Sequence, residues 1–124
     1  MLSSAAMSRR VEKPWGHEEI WAETDRYVGK ILFIREGQRL SLQYHEVKDE
    51  TLLVISGKLC LELENDQGEL EKLELGPGAS RRVLVGRKHR FSGVEDCELV
   101  EVSTPELDDV VRLEDDYGRS GQSG

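Results

Sequence analysis

Apolar and polar residues alternate with a period of two through most of this chain, in short runs closed off by glycines. Successive side chains of a strand point to opposite faces, so the pattern dictates strands with one buried and one wet face. "YVGKILFIRE" is one such run, "EGQ" turns it, and "RLSLQYH" alternates again. "TLLVIS" is a short continuous apolar run, as expected for a strand covered on both faces. "GKLCLELE" and "GELEKLEL" flank "NDQG", which is a hairpin signal. "ASRRVLV", "HRFSGV" and "CELVEVSTP" follow, with "GRK" turning between the first two. Regular short strands with this punctuation predict an all-β antiparallel sandwich or barrel. No apolar stripe of helical period precedes Thr104. In "TPELDDVVRLEDDYGR", Thr104 could cap a short helix with Pro105 at its first position, but apolar residues are too sparse to decide.

A chain of 124 residues buries one core, so a single domain is expected. Its bounds are set at 12–119, between a flexible leader at 1–11 and a flexible tail at 120–124. The leader has neither a basic start nor a hydrophobic stretch and does not read as a secretory signal. No apolar run reaches the roughly 18 residues that cross a bilayer. Asp and Glu number 25 against 17 Lys and Arg, a net charge of −8. Such a chain repels nucleic acid and anionic membranes, so neither is expected as a partner. Cys60 and Cys97 stand alone in apolar segments and read as reduced core thiols. A cytoplasmic location is the expectation these features support.

Chemistry concentrates in "GQRLSLQYHEVKDETLLVISG", read as two strands and a turn. Parity puts Arg39, Ser41, Gln43 and His45 on one face and Leu40, Leu42 and Tyr44 on the other. A polar row facing into a barrel must be paired, hydrated or metal-bound. Glu50 opens the returning strand and can lie beside His45 and Gln43, whereas Glu46 points away. On these residues alone, a polar strand edge and half of a metal site are both open readings. His89, after the turn in "GRKH", adds a second imidazole. Two imidazoles, a carboxylate and an amide oxygen would suit a divalent ion, with zinc as Lewis acid among the candidates. His17 in "PWGHEE" lies outside both pieces and reads as a structural or surface residue, while Trp15, Trp21 and Tyr44 read as packing residues.

The spacing G-x5-Q-x-H-x4-E-x6-G, Gly37 to Gly57, resembles the first motif of the cupins with Gln in place of its first His. G-x7-G-x-x-H, Gly78 to His89, resembles the second, with Leu84 where a proline is usual and Gly93 where an Asn is usual. "KPWGHEEIW", "GQRLSLQYH", "HRF" and "DDVVRLEDDYGR" extend the likeness over about residues 12–119. Together they resemble the small cupin domain of type II mannose-6-phosphate isomerases, which also occurs joined to mannose-1-phosphate guanylyltransferases. The resemblance implies a cupin-type jelly roll and a divalent metal, zinc by preference, held by Gln43, His45, Glu50 and His89. It implies an aldose–ketose isomerase acting on a sugar phosphate through an enediol. Where those isomerases read approximately Q-x-H-H-H-R-x-E-H-W, this chain has "QYHEVKDETL": Glu46, Val47 and Thr51 replace histidines, and Lys48 replaces Arg.

Arg81, Arg82, Arg87, Lys88 and Arg90 crowd around His89, a local cationic field suited to a small anionic substrate. Arg39 and Ser41 are expected to bind substrate, Arg39 because it shares parity with Gln43 and His45. Lys48 is expected to transfer a proton or bind phosphate, its pKa lowered by burial. The resemblance adds Arg90 as a catalytic group beside Glu50, and Lys30 and Arg119 as substrate contacts. A homodimer is expected on family analogy. The alternatives are a non-catalytic cupin that senses or binds a sugar or sugar phosphate and, less favoured, a metal-dependent oxygenase. A metal-free epimerase fits least, because the ligand residues are retained.

Overall fold

The computed structural model describes residues 7–119 and 121–123. Its elements are β1 (Arg9–Lys13), β2 (Gly16–Glu23), β3 (Val28–Ile34), β4 (Leu42–Tyr44), β5 (Glu50–Ser56) and β6 (Leu59–Glu64). They continue as β7 (Leu70–Leu75), β8 (Ser80–Val83), β9 (His89–Gly93), β10 (Cys97–Ser103), β11 (Val110–Glu114) and β12 (Gly121–Ser123). Two antiparallel sheets result, ordered β1-β2-β3-β10-β5-β8 and β12-β11-β4-β9-β6-β7. This is an all-β jelly roll. Among the described residues no helix is long and apolar enough to cross a membrane.

Alternation decides which side chains face inward, and the register decides how they line up across a sheet. On β3 the inner row reads Lys30, Leu32 and Ile34; on β10 it reads Cys97, Leu99, Glu101 and Ser103, all of them buried. Leu32 lies opposite Leu99, and Lys30 opposite Glu101. On β5 the row continues with Glu50, Leu52 and Val54, again buried. One end of the interior is therefore apolar and the other charged. Leu59 and Leu61 of β6 and Phe91 of β9 close the apolar end from the second sheet. Each of these side chains contributes about 1.5–3 kcal/mol by leaving water. Cys97 is fully buried there and its thiol is pushed up to about 11 by burial, then by Asp96. Cys60 is also a free thiol but only half-buried.

Tight turns hold these rows in register. Gly57 joins β5 to β6 at φ 75°, where a side chain would collide with the backbone of Asp96 and Cys97. In "NDQG", Gly68 donates its amide to the Asn65 carbonyl (3.0 Å), and the Asn65 side chain accepts from Gln67 and Glu69 (2.9 and 3.0 Å).

Several expectations need correction. Residues 9–11 of the expected leader are part of β1, whose Val11 pairs with Glu18; residues 1–6 lie outside those described. In the expected tail, 121–123 pair with β11 as β12, while 120 and 124 lie outside. "TLLVIS" is covered on one face only, since Leu53 and Ile55 are exposed at 38% and 47%. Residues 104–109 form turns that lead into β11. Thr104 caps no helix, and its hydroxyl accepts the Asp49 amide at 3.0 Å.

Candidate metal centre

β4 and β5 converge on one point because the loop between them is pinned. The Asp109 carboxylate accepts the amides of Glu46, Val47 and Lys48 at 3.1, 2.7 and 2.8 Å. Burial works against this carboxylate, but the three amides hold its carboxyl below the usual range. The Asp109 carbonyl accepts a hydrogen bond from His45 Nδ1 at 2.6 Å. On β9, His89 Nδ1 likewise donates to the Arg87 carbonyl at 2.9 Å. A carbonyl cannot donate, so both rings carry a proton on Nδ1 and point Nε2 inward, the nitrogen whose lone pair an ion would take.

Both Nε2 atoms meet a carboxylate. Glu50 Oε1 lies 3.0 Å from His45 Nε2 and 3.2 Å from His89 Nε2. All three side chains are buried, and their ligand atoms lie within 4.8 Å of one another. His89 Nε2 has no hydrogen-bond partner. Two lone pairs and an anionic oxygen repel at this range unless a cation or shared protons sit between them. This donor set suits a divalent ion. Gln43 stands opposite His89 in the β4–β9 register. Its Oε1 accepts from Ser41 Oγ at 2.6 Å, which leaves a second lone pair for an ion.

Charges of alternating sign surround the trio. Lys48 Nζ lies 3.3 Å from Glu101 Oε1 and 3.6 Å from Glu50 Oε2. Further along, Lys30 Nζ lies 3.5 Å from Glu18 Oε2. Burial, then the charge of Glu50, pushes the Glu101 carboxyl up to about 8. Glu50 moves the other way: burial opposes ionisation, but contacts from Glu101, His45 and His89 and the charge of Lys48 hold it well below the usual range. Glu101 therefore keeps the proton of the pair. Lys48 contradicts its expected lowering. Burial alone would lower its pKa, but Glu101 and Glu50 raise it beyond the ordinary value, so it stays an ammonium.

A cavity of about 240 Å³ opens beside the trio, lined by Gln43, His45, Lys48, Glu50 and Glu101 among others, with His89 behind its wall. Lys30 and Arg119 of the expected substrate contacts also line it. Ser41 is buried and reaches the cavity only through Gln43. Arg39 does not line it. Regular β4 begins at Leu42, so alternation is lost before Arg39, which turns outward to a bidentate pair with Asp116 at 2.7 and 3.0 Å. Arg90 is also absent from the wall. As the neighbour of His89 on β9 it points to the opposite face, where it donates to the carbonyls of Leu40 and Glu114, both at 3.1 Å. Leu40, expected to face away, lines the cavity. His17 stacks on Phe33, ring centroids 5.3 Å apart, outside the cavity. Glu18, Glu101, Lys13 and Arg112 line the wall and went unnoticed in the sequence.

A double-sheet barrel with a His–Glu–His cluster in its charged end defines a cupin-type protein. Solved structures agree on the fold. KdgF from Halomonas sp. superposes with a TM-score of 0.69 at 23% identity, covering 81% of this chain and 88% of that one. CapF, a capsular polysaccharide assembling protein from Staphylococcus aureus, gives 0.73 at 19%, covering 89% and 33%. A Bacillus subtilis oxalate decarboxylase variant gives 0.75 at 14%, covering 86% and 30%. The sequence model of the family described as "Mannose-6-phosphate isomerase C-terminal" matches residues 2–115, and the chain belongs to that family. Among curated relatives, the xanthan biosynthesis protein XanB of Xanthomonas campestris is 35% identical over 95% of this chain and 25% of its own length. The mannose-1-phosphate guanylyltransferase ManC of Salmonella typhimurium is 34% identical over 91% and 24%. The chain thus spans about a quarter of the length of these relatives.

Proposed function

We propose that this chain is a metal-dependent aldose–ketose isomerase of a sugar phosphate, of the mannose-6-phosphate isomerase kind, with zinc as its metal. The observation that carries the reading is the convergence of His45 Nε2, His89 Nε2 and the Glu50 carboxylate, with a second buried carboxyl at Glu101 beside them. When bound by Gln43, His45, Glu50 and His89, the ion supplies Lewis acidity to the oxygens on the first two sugar carbons. Glu101, buried beside Glu50 on the cavity wall, is the group placed to take the proton from one of those carbons as a carboxylate and return it to the other as the acid. Lys48 remains charged and offsets the negative charge that develops on the enediol oxygens. It does not serve as a base.

The departures from the isomerase pattern fall outside the cavity. Glu46 and Val47 are exposed, and Thr51 sits on the opposite face of β5 from Glu50 and Leu52. Only Lys48, at the Arg position, lines it. The exposed Leu53, Ile55 and Val102 on the outer face of β5 and β10 suit pairing with a second copy.

The test is conversion of mannose 6-phosphate to fructose 6-phosphate by the zinc-loaded protein. Turnover should vanish in Glu50→Ala together with the metal. In Glu101→Gln it should fall about 100-fold or more while the metal is kept. Tight binding of the sugar phosphate without turnover would instead establish the non-catalytic binder.

A further inference from the structure

Six cationic side chains line the cavity: Arg9, Lys13, Lys30, Lys48, Arg112 and Arg119. Four of them are committed. Arg9 pairs with Glu23 at 2.8 Å, Lys30 with Glu18 at 3.5 Å, Lys48 with Glu50 at 3.6 Å and Arg119 with Asp115 at 3.0 Å. Among the described residues, Lys13 and Arg112 form neither an ion pair nor a side-chain hydrogen bond, and Arg112 Nε is buried without a partner. In a chain with a net charge of −8, carboxylates are plentiful, yet among the described residues none pairs directly with either of these two: Glu18 and Asp115 act on them only through their charge.

The two cations also repel one another. Burial lowers the Lys13 pKa first; the charge of Glu18 opposes this, but Lys30, Arg119 and Arg112 add to the lowering. Burial followed by the charge of Arg119 does the same to Arg112. Cations held together at such cost are arranged for an anion that arrives from outside.

We propose that Lys13 and Arg112, backed by Arg119, form the subsite for the dianionic phosphoryl group of the substrate. This rests on the sugar-phosphate reading above and deepens it. Arg112 is the register partner of Gln43, so the subsite lies one strand from the metal ligands. Lys13 ends β1 on the other sheet, and the two face the cavity from both sides. Arg119 is held by Asp115 through Nε and Nη2, which leaves Nη1 to reach an anion. A cavity of about 240 Å³ fits a small phosphate ester rather than an acidic peptide. Arginine and lysine together provide the forked and point-charge contacts that a phosphate monoester takes.

The test is calorimetric titration of zinc-loaded protein with inorganic phosphate, mannose 6-phosphate and mannose, in wild type, Lys13→Gln and Arg112→Gln. Each substitution should weaken phosphate and mannose 6-phosphate by about tenfold or more and leave mannose unchanged. The melting temperature should stay at the wild-type value or rise, the zinc content should be unchanged, and Arg112→Lys should recover part of the loss. Unchanged affinity for both phosphates in both variants would overturn the subsite. So would a loss that extends equally to mannose. The two proposals fail separately. Phosphate binding weakened by the substitutions in a protein that never isomerises the sugar keeps the subsite and removes the isomerase. Turnover with an unaltered KM in both variants does the reverse.

Discussion

The two ends of the barrel interior are laid down by the same strands yet behave oppositely. Toward one end, Leu32, Leu99, Leu52 and Leu61 close a dry core. Two residues along the same strands, Lys30, Glu101 and Glu50 occupy equivalent inward positions and carry charge. The dry end is held by burial of apolar surface, which is non-directional and tolerant of small shifts. The charged end is held by hydrogen bonds, ion pairs and backbone cradles, each of which fixes a direction. Stability belongs mainly to the first end and chemistry to the second.

Substitutions that act on one end and spare the other would sharpen that contrast. Leu61→Ala should have the largest effect on stability, a loss of about 2–5 kcal/mol by chemical denaturation, with metal content of the folded protein unchanged. Asp109→Ala should cost less, about 1–3 kcal/mol, because three amides lose their acceptor. It should also weaken metal binding about tenfold, since the loop before Glu50 is no longer pinned. Equilibrium unfolding and metal competition measure the two losses on one sample.

Glu101 makes the contrast depend on pH. Its folded-state pKa is raised from 4.5 to about 8, so its contribution to stability is complete below pH 4.5. That contribution is lost progressively as pH rises towards 8. In metal-free protein, melting temperatures of wild type and Glu101→Gln should therefore diverge across this window, with the variant more stable at its upper end. Parallel curves would show that Glu101 is not the protonated member of the pair. The smallest effect is expected for Arg39→Ala. Its pair with Asp116 is solvent-exposed and screened, so the melting temperature and turnover should both stay close to wild type.

Much of this interior was legible as pattern. Parity brought Gln43 and His45 to one face, and the return of the chain brought Glu50 beside them. His89 entered through motif spacing. Parity failed at Arg39 because a strand that starts at Leu42 imposes no alternation before it. At Arg90 the rule was available and spoke against the assignment, since adjacent residues on β9 face opposite ways.

Glu101 was missed although "CELVEVS" carries its signal. Cys97 and Leu99 fix the core parity, and Glu101 continues it as a charge. Glu18 shares parity with Ile20, and Lys30 with Leu32 and Ile34, in the same manner. A charged residue at core parity cannot be left unpaired in a dry interior, so several on neighbouring strands mark a polar chamber. Which strands are neighbours is set by long-range pairing, β3 with β10 and β10 with β5, and local pattern does not carry it. Lys13 and Arg112 likewise meet only because the two sheets face each other.

Metal content, measured by elemental analysis of protein purified without added metal or chelator, tests the centre most directly. About one divalent ion per chain is expected in the wild type, and close to none in His45→Ala and His89→Ala that retain the wild-type fold. Full occupancy in both variants would contradict the assignment of the lone pairs of His45 and His89 to a metal.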